Sequence, residues 1–496
     1  MMDTYLVTLP ILIPFAAAAL GLLLRNKHTL QGLWSLGAAL VSFAITGVLL
    51  WRVWQAGEAI VFQGGAWPAP FGISLVGDLL GAFMSFMAQL ILVMGIIYAL
   101  GSRDETIGYP TFYPLVLMMG VGLTGVMLTG DIFNMYVFIE LLLVSGAVLT
   151  AISDNRSGPE AAYKYFYLSL LASWFLLFAI GSLYVEYGTL NMADLAARVA
   201  AEPNAPLLPV AIVLLFAAFM VKSAVFPFHF WQPDLYMAAP TAVAAILSAA
   251  VSKVGVYGFL RMTTLLFVEQ ADMIRTALIV FGILGILYGG FSAIGTKNAK
   301  RMLAYSSMAQ IGFILVAIGW GTTGALVAAL VFIFNHALIK SALMMLTGVV
   351  ASHTENRSAA FRSVTGLGRS MPYAGGLFLL GGLALSGIPP TNGFFSKMLL
   401  FGSGIAAEEY VSLAIVGVAS VLTLVYTTTA FMRIWWQAPE ADKSASRLPD
   451  RILAPTLLIA LVLALGIWAE PLIALAQATA NWLGDPTLYI SAVLGA

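Results

Sequence analysis

Fourteen stretches of this chain are apolar and close to the ~20 residues that a helix needs to cross the hydrocarbon core of a bilayer. They run over residues 4–24, 33–54, 73–100, 111–128, 132–152, 162–184, 207–230, 241–262, 276–294, 302–319, 325–350, 373–403, 411–432 and 452–469. Hydrophobic residues make up 61% of the chain and charged residues 9%, against about 25% charged in a soluble domain. Most of the surface must therefore face lipid, and the expected fold is an all-α polytopic membrane protein of about fourteen transmembrane helices. No segment outside the stretches is long enough to fold alone, and 471–483 reads as a short interfacial helix.

The same composition excludes several functions. Without cysteine the chain can hold no disulfide framework and no cysteine-ligated iron–sulfur cluster. A net charge of zero and the lack of a basic tract argue against nucleic acid as a partner. The first stretch does not read as a cleavable signal, because Asp3 precedes it while Arg25 and Lys27 follow it, the reverse of a basic leader. With the N-terminus outside, the inward loops carry Arg25, Lys27, Arg103, Arg156, Lys297, Lys300, Arg301, Arg357, Arg362, Arg369, Arg433, Lys443, Arg447 and Arg451. The outward side has Arg52, Arg198, Arg261 and Arg275. This bias predicts that both termini lie outside.

Six ionisable residues lie inside the apolar stretches and away from their ends: Glu140, Lys222, Lys253, His336, Lys340 and Lys397. Each opposes insertion by about 2.5–3.5 kcal/mol at a helix centre, so their retention points to a route for ions. Asp131 is placed to cap the helix that follows it, and nine residues further on Glu140 stands about 13 Å deep, near the midplane. Glu140 is the one deep carboxylate, so the simplest expectation pairs it with Lys222. Lys253, about 20 Å along its helix from Pro240, and Lys397 have no acid nearby in sequence, which suits groups that must give up a proton. His336 and Lys340, at i and i+4, share a helix face, and the histidine is a natural relay between lysines. Lys164 is expected to snorkel at the inner end of its helix, and Asp78 to do the same at the outer face or to line an exit there. His229 and His336 lack the spacing or carboxylates of a metal site, so no metal or cofactor is expected.

Prolines mark where helices break. Pro227 follows Lys222 in KSAVFPFHFWQPD, and Pro389 and Pro390 interrupt the twelfth stretch just before Lys397. Internal proline removes a backbone hydrogen bond and clashes with the preceding turn, so the seventh and twelfth helices should be discontinuous. Backbone freed at that depth must be covered by protein or by water in a cavity. The breaks are five stretches apart, and an odd number of helices per repeat inverts the second copy. The expected organisation is residues 1–110 (helices 1–3), 111–263 (first five-helix repeat, helices 4–8), 275–436 (second repeat, helices 9–13) and 452–496 (helix 14 and a short tail).

The runs GGAWPAPFGISLVGDLL, LTGDIFNMYVFIELLL, GTLNMADL, KSAVFPFHFWQPDLYMAAPT, AKRMLAYSSMAQIGF, NHALIKSALMMLTG and SGIPPTNGFFSK resemble the antiporter-like subunits shared by respiratory complex I, membrane-bound hydrogenases and Mrp multisubunit cation/proton antiporters. The resemblance covers nearly the whole chain, and the first three runs are most similar to the MrpD branch. Trp231-Gln232-Pro233-Asp234 departs towards the complex I and hydrogenase pattern, whereas the lateral helix of the largest complex I member has no counterpart.

This resemblance implies a fourteen-helix fold with two inverted repeats and a polar axis in the membrane plane. It places the family's fifth-helix glutamate at Glu140, its seventh- and eighth-helix lysines at Lys222 and Lys253, its eleventh-helix histidine and lysine at His336 and Lys340, and its twelfth-helix charge at Lys397. The expectation is a transporter subunit, not an enzyme, in a prokaryotic cell membrane. It would move H+ beside partner membrane subunits of a hetero-oligomeric Na+/H+ antiporter, with Na+ passing elsewhere. The alternatives are a proton-pumping subunit of a complex I-type or hydrogenase complex, and a stand-alone transporter.

Overall fold

The computed structural model describes residues 4–153, 157–354, 356–438 and 448–495, so Asp3, Arg156, Lys443 and Arg447 lie outside the described residues. The chain begins with α1 (Tyr5–Gly21) and α2 (His28–Ala56), then forms an antiparallel hairpin, β1 (Ile60–Gln63) with β2 (Ser74–Gly77), in the register Ile60 to Gly77. After it come α3 (Leu79–Gly101), α4 (Phe112–Leu128), α5 (Ile132–Ala151), α6 (Ser157–Tyr187) and the short α7 (Met192–Ala201). Next are α8 (Leu208–Lys222), α9 (Trp231–Ala238), α10 (Thr241–Ile246) and α11 (Lys253–Arg261). The second half holds α12 (Ala271–Gly295), α13 (Ala299–Trp320), α14 (Thr323–Ser352), α15 (Pro372–Ser386), α16 (Asn392–Ala406) and α17 (Tyr410–Phe431). Finally come α18 (Leu453–Ile467), α19 (Glu470–Leu483) and α20 (Pro486–Leu494).

Local chemistry explains many of the helix starts. Asp78, Asp131, Asn191, Asn298 and Thr322 each accept a backbone N–H of the first turn through the side chain, which satisfies donors that have no partner within the helix. The third apolar stretch reads as helical from residue 73. Residues 74–77 are instead paired as β2, and Asp78 starts the helix.

Among the described residues, ten helices are long and apolar enough to cross a membrane, or eleven if α18 and α19, bent by 80°, form one span. This falls short of fourteen stretches because α4, α8 and α15 are shorter apolar helices. The span from α10 to Leu266 and α14 are wholly buried, and α13 nearly so, while α1, α2, α6, α12 and α17 keep outward apolar faces. The most buried helices thus carry Lys253, His336 and Lys340. The short helix expected at 471–483 is present as α19, which packs against α3 and α14 and buries Leu472, Ala476, Ala480 and Leu483.

Candidate functional site

The first cluster lies between α5, α6 and α8. Glu140, half-buried on α5, accepts a short hydrogen bond from the Ser173 hydroxyl of α6. Lys222, the last residue of α8, donates to Ser169 O at 3.2 Å and to Ser173 Oγ at 3.4 Å. Among the described residues no direct ion pair joins Glu140 to Lys222, which corrects the simple pairing expected from sequence. Their contact runs through a hydroxyl, because the lysine reaches the α6 backbone before it reaches the carboxylate.

Helix α8 stops at Lys222, and helix resumes at Trp231. The Trp231 indole N–H donates to Val221 O at 3.1 Å, and its ring packs on Tyr165 with centroids 4.9 Å apart. These residues, with Ser169 and Lys222, wall a cavity of about 10 Å³ whose lining also includes Val251 and Val254. That is room for about one water, and it extends from Lys222 towards the residues flanking Lys253.

Lys253 is fully buried and donates to Ser248 O at 3.2 Å and Ser252 Oγ at 3.3 Å. A π-helical turn, Leu247–Val251, separates α10 from α11 directly before it; such turns recur at functional sites. On α14, Lys340 donates to Leu303 O at 3.1 Å and to Ser306 Oγ at 2.9 Å, and Ser306 Oγ lies 2.9 Å from Tyr426 OH. His336, one turn before Lys340, is buried, and neither ring nitrogen is hydrogen-bonded among the described residues.

Lys397 closes the series. Helix α15 ends with Gly387 at φ +82°, a conformation that favours glycine, and a Cβ there would stand 2.6 Å from Lys397 Cδ. The chain re-enters helix at Asn392. Among the described residues the Lys397 ammonium has no hydrogen-bond partner, and it lies 5.4 Å from the centre of the Phe313 ring. A second cavity of about 10 Å³ is lined by both His336 and Lys397, with Gln310, Asn335 and Ser396. Beside it Asn335 and Asn392 bond each other, and Asn392 Oδ1 has no partner among the described residues.

None of the four deep lysines forms an ion pair with a carboxylate among the described residues. Amines held by carbonyls and hydroxyls, with small cavities beside them, can bind and release a proton without breaking an ion pair. The hydroxyls of Ser173, Ser252, Ser306 and Tyr426 were missed in the sequence. Their one signal is a polar residue within an apolar stretch, and serine and threonine are common in such helices.

Other charges fall outside the series. Asp78 and Arg261, both expected near the outer surface, are buried against each other, with Arg261 Nη2 2.7 Å from Asp78 Oδ1. Lys164 does not merely snorkel; it pairs with Glu160 at 2.8 Å and Asp234 at 3.0 Å, and Arg301 also reaches Asp234 at 2.6 Å. His229 packs among Phe226, Phe230, Tyr288 and Tyr305, away from His336. No group of three or more metal-ligating side chains occurs among the described residues.

Residues 129–423 match the family described as NADH:quinone oxidoreductase/Mrp antiporter, transmembrane. A Na(+)/H(+) antiporter subunit from Alkalihalophilus pseudofirmus is 31% identical over 99% of this chain and 99% of its own length. An NADH-quinone oxidoreductase subunit from Desulforudis audaxviator is 34% identical over 95% and 97%. Among solved structures, a chain of the Mrp complex from Dietzia sp. superposes with a TM-score of 0.90 at 25% identity, covering 100% of both chains.

Proposed function

The chain belongs to the NADH:quinone oxidoreductase/Mrp antiporter transmembrane family, and from that membership we propose that it is the proton-translocating subunit of a multisubunit Na+/H+ antiporter. The observation that carries the mechanism is the pair of unbonded buried groups, the His336 ring and the Lys397 ammonium, lining one cavity. They continue a series that begins at Glu140 and Lys222 in the other half of the chain.

In this reading a proton is taken up near Glu140 or Lys253, passes Lys222, Lys253, His336 and Lys340 by side chains and water, and leaves by Lys397. Glu140 sets the proton affinity of Lys222 through Ser173, since a nearby carboxylate favours the charged amine and its withdrawal disfavours it. The chain crosses the membrane fourteen times: the ten long helices, α4, the broken pairs α8–α9 and α15–α16, and α18. Helices α4 to α11 and α12 to α17 form the two inverted repeats, broken around Pro227 and around Pro389-Pro390. Both termini lie outside a prokaryotic cell membrane, which the lysine and arginine bias supports. A dehydrated Na+ site wants several oxygen ligands, and Glu140 is the one deep carboxylate, so Na+ crosses a partner subunit.

A second reading, a proton-pumping subunit of a redox-driven complex, is favoured by the 34% identity to an NADH-quinone oxidoreductase subunit and by Trp231-Gln232-Pro233-Asp234. Purifying the intact complex, identifying its subunits and pulsing Na+ onto proteoliposomes tests both. Partners without redox centres and a Na+-driven pH change support the antiporter. Redox subunits and no response to Na+ overturn it in favour of the pump.

A further inference from the structure

Lys253, Tyr257 and Arg261 recur every fourth residue of α11 and so share one face. This face runs from the deep lysine to the end of the protein where the β1–β2 hairpin, α7 and α20 gather. There the Arg261 guanidinium binds Asp78 with two bonds, Nη1 to Oδ2 at 2.8 Å and Nη2 to Oδ1 at 2.7 Å. Its Nε donates to Tyr257 OH at 3.0 Å, and that hydroxyl donates to Met127 O at 3.0 Å. Tyr489 of α20 packs its ring 5.0 Å from the guanidinium and buries a hydroxyl that has no partner. Helix α20 is tied down by Gln63 Nε2, which donates to Val493 O at 3.2 Å.

A buried ion pair is a poor source of stability, so its position calls for another explanation. Arginine does not deprotonate inside proteins and carries no proton onward. Held in a neutral pair by Asp78, the guanidinium offers no group that takes up and releases a proton on the way from Lys253 to the hairpin end, and the Tyr489 ring packs over it.

We propose that Asp78, Arg261 and Tyr489 form a seal that stops protons leaking between Lys253 and the hairpin end of the protein. The seal rests on the reading of Lys253 as a proton carrier.

The test measures passive proton leak, without Na+, in proteoliposomes of the intact complex under an imposed pH gradient. Arg261→Gln should raise the leak several-fold, and Arg261→Lys, which can still pair with Asp78, should raise it less. Adding Lys253→Ala should remove the rise. A leak that persists in that double variant does not pass by Lys253 and overturns a seal on that route, whereas a Lys253→Ala complex that exchanges Na+ for H+ at the parental rate removes the carrier reading, so the two ideas fail separately. An assembled Arg261→Gln complex with the parental leak overturns the seal. If Arg261→Gln does not assemble, Tyr489→Ala, which breaks no hydrogen bond, carries the same expectation, and an unchanged leak there overturns the seal as well.

Discussion

Glu140 and Lys222 are joined through the Ser173 hydroxyl, which donates to the glutamate while the lysine donates to it from 3.4 Å. The relay has a direction, from ammonium through hydroxyl to carboxylate. The same hydroxyl lies 2.9 Å from Ser169 O, and with one proton it can donate to the carboxylate or the carbonyl. Turning to the carbonyl would loosen the coupling of Glu140 to Lys222.

Ser173→Ala removes that link with little change in volume. A hydrogen bond to a charged group contributes about 1.5–3 kcal/mol, so coupled transport should fall roughly tenfold to a hundredfold in the assembled complex. Ser173→Thr keeps the hydroxyl and should retain most of the rate. Vesicle antiport assays decide this, and a parental rate in the alanine variant would remove Ser173 from the pathway.

Glu140→Ala and Lys222→Ala should each abolish Na+/H+ exchange while leaving the complex intact on native gels. If either variant exchanged at the parental rate, the cluster would be structural.

Lys397 separates a moving proton from a fixed charge. Lys397→Ala should block coupled transport. Lys397→Arg, with a pKa above 12, should hold its proton and also transport poorly. Near-normal rates in the arginine variant would assign Lys397 a fixed electrostatic role.

Asp450 predicts a stability effect away from the pathway. It accepts hydrogen bonds from Tyr98 at 2.9 Å, Ser102 at 3.0 Å, the Arg103 amide at 2.8 Å and Arg357, tying the end of α3 to the start of α18. Burial works to lower the Arg357 pKa, but the hydrogen bond and charge of Asp450 outweigh it and raise the guanidinium above its ordinary value. Asp450→Ala should destabilise the protein by about 1–3 kcal/mol, the cost of leaving its buried hydrogen-bond donors without their acceptor. Thermal unfolding in detergent would register it, and an unchanged midpoint would mean that water replaces the carboxylate.

Class and depth were legible in the sequence because they depend on local chemistry. A lysine within an apolar stretch is costly wherever its helix packs, so all six ionisable positions stood out before any helix was placed. Asp131 could be recognised as a cap because capping needs only residues that follow it in the chain, and it accepts the Asn134 amide at 2.7 Å. The hairpin at 60–77 was less legible, since SLVG reads as the start of the apolar stretch behind it and becomes a strand through pairing with Ile60–Gln63.

Partnership was decided by the tertiary structure. Sequence counted one deep acid and assigned it to the nearest deep lysine, whereas helix α6 places Ser173 between them. Asp78 and Arg261, 183 residues apart, became a buried pair because α3 and α11 end at the same level under α20. The cavity shared by His336 and Lys397 arises where α14 packs on α16. A residue type and its depth follow from the energy of transfer into lipid, which each segment meets alone. Hydrogen bonds and cavities depend on distances of about 3 Å between helices remote in the chain, and packing alone sets those distances.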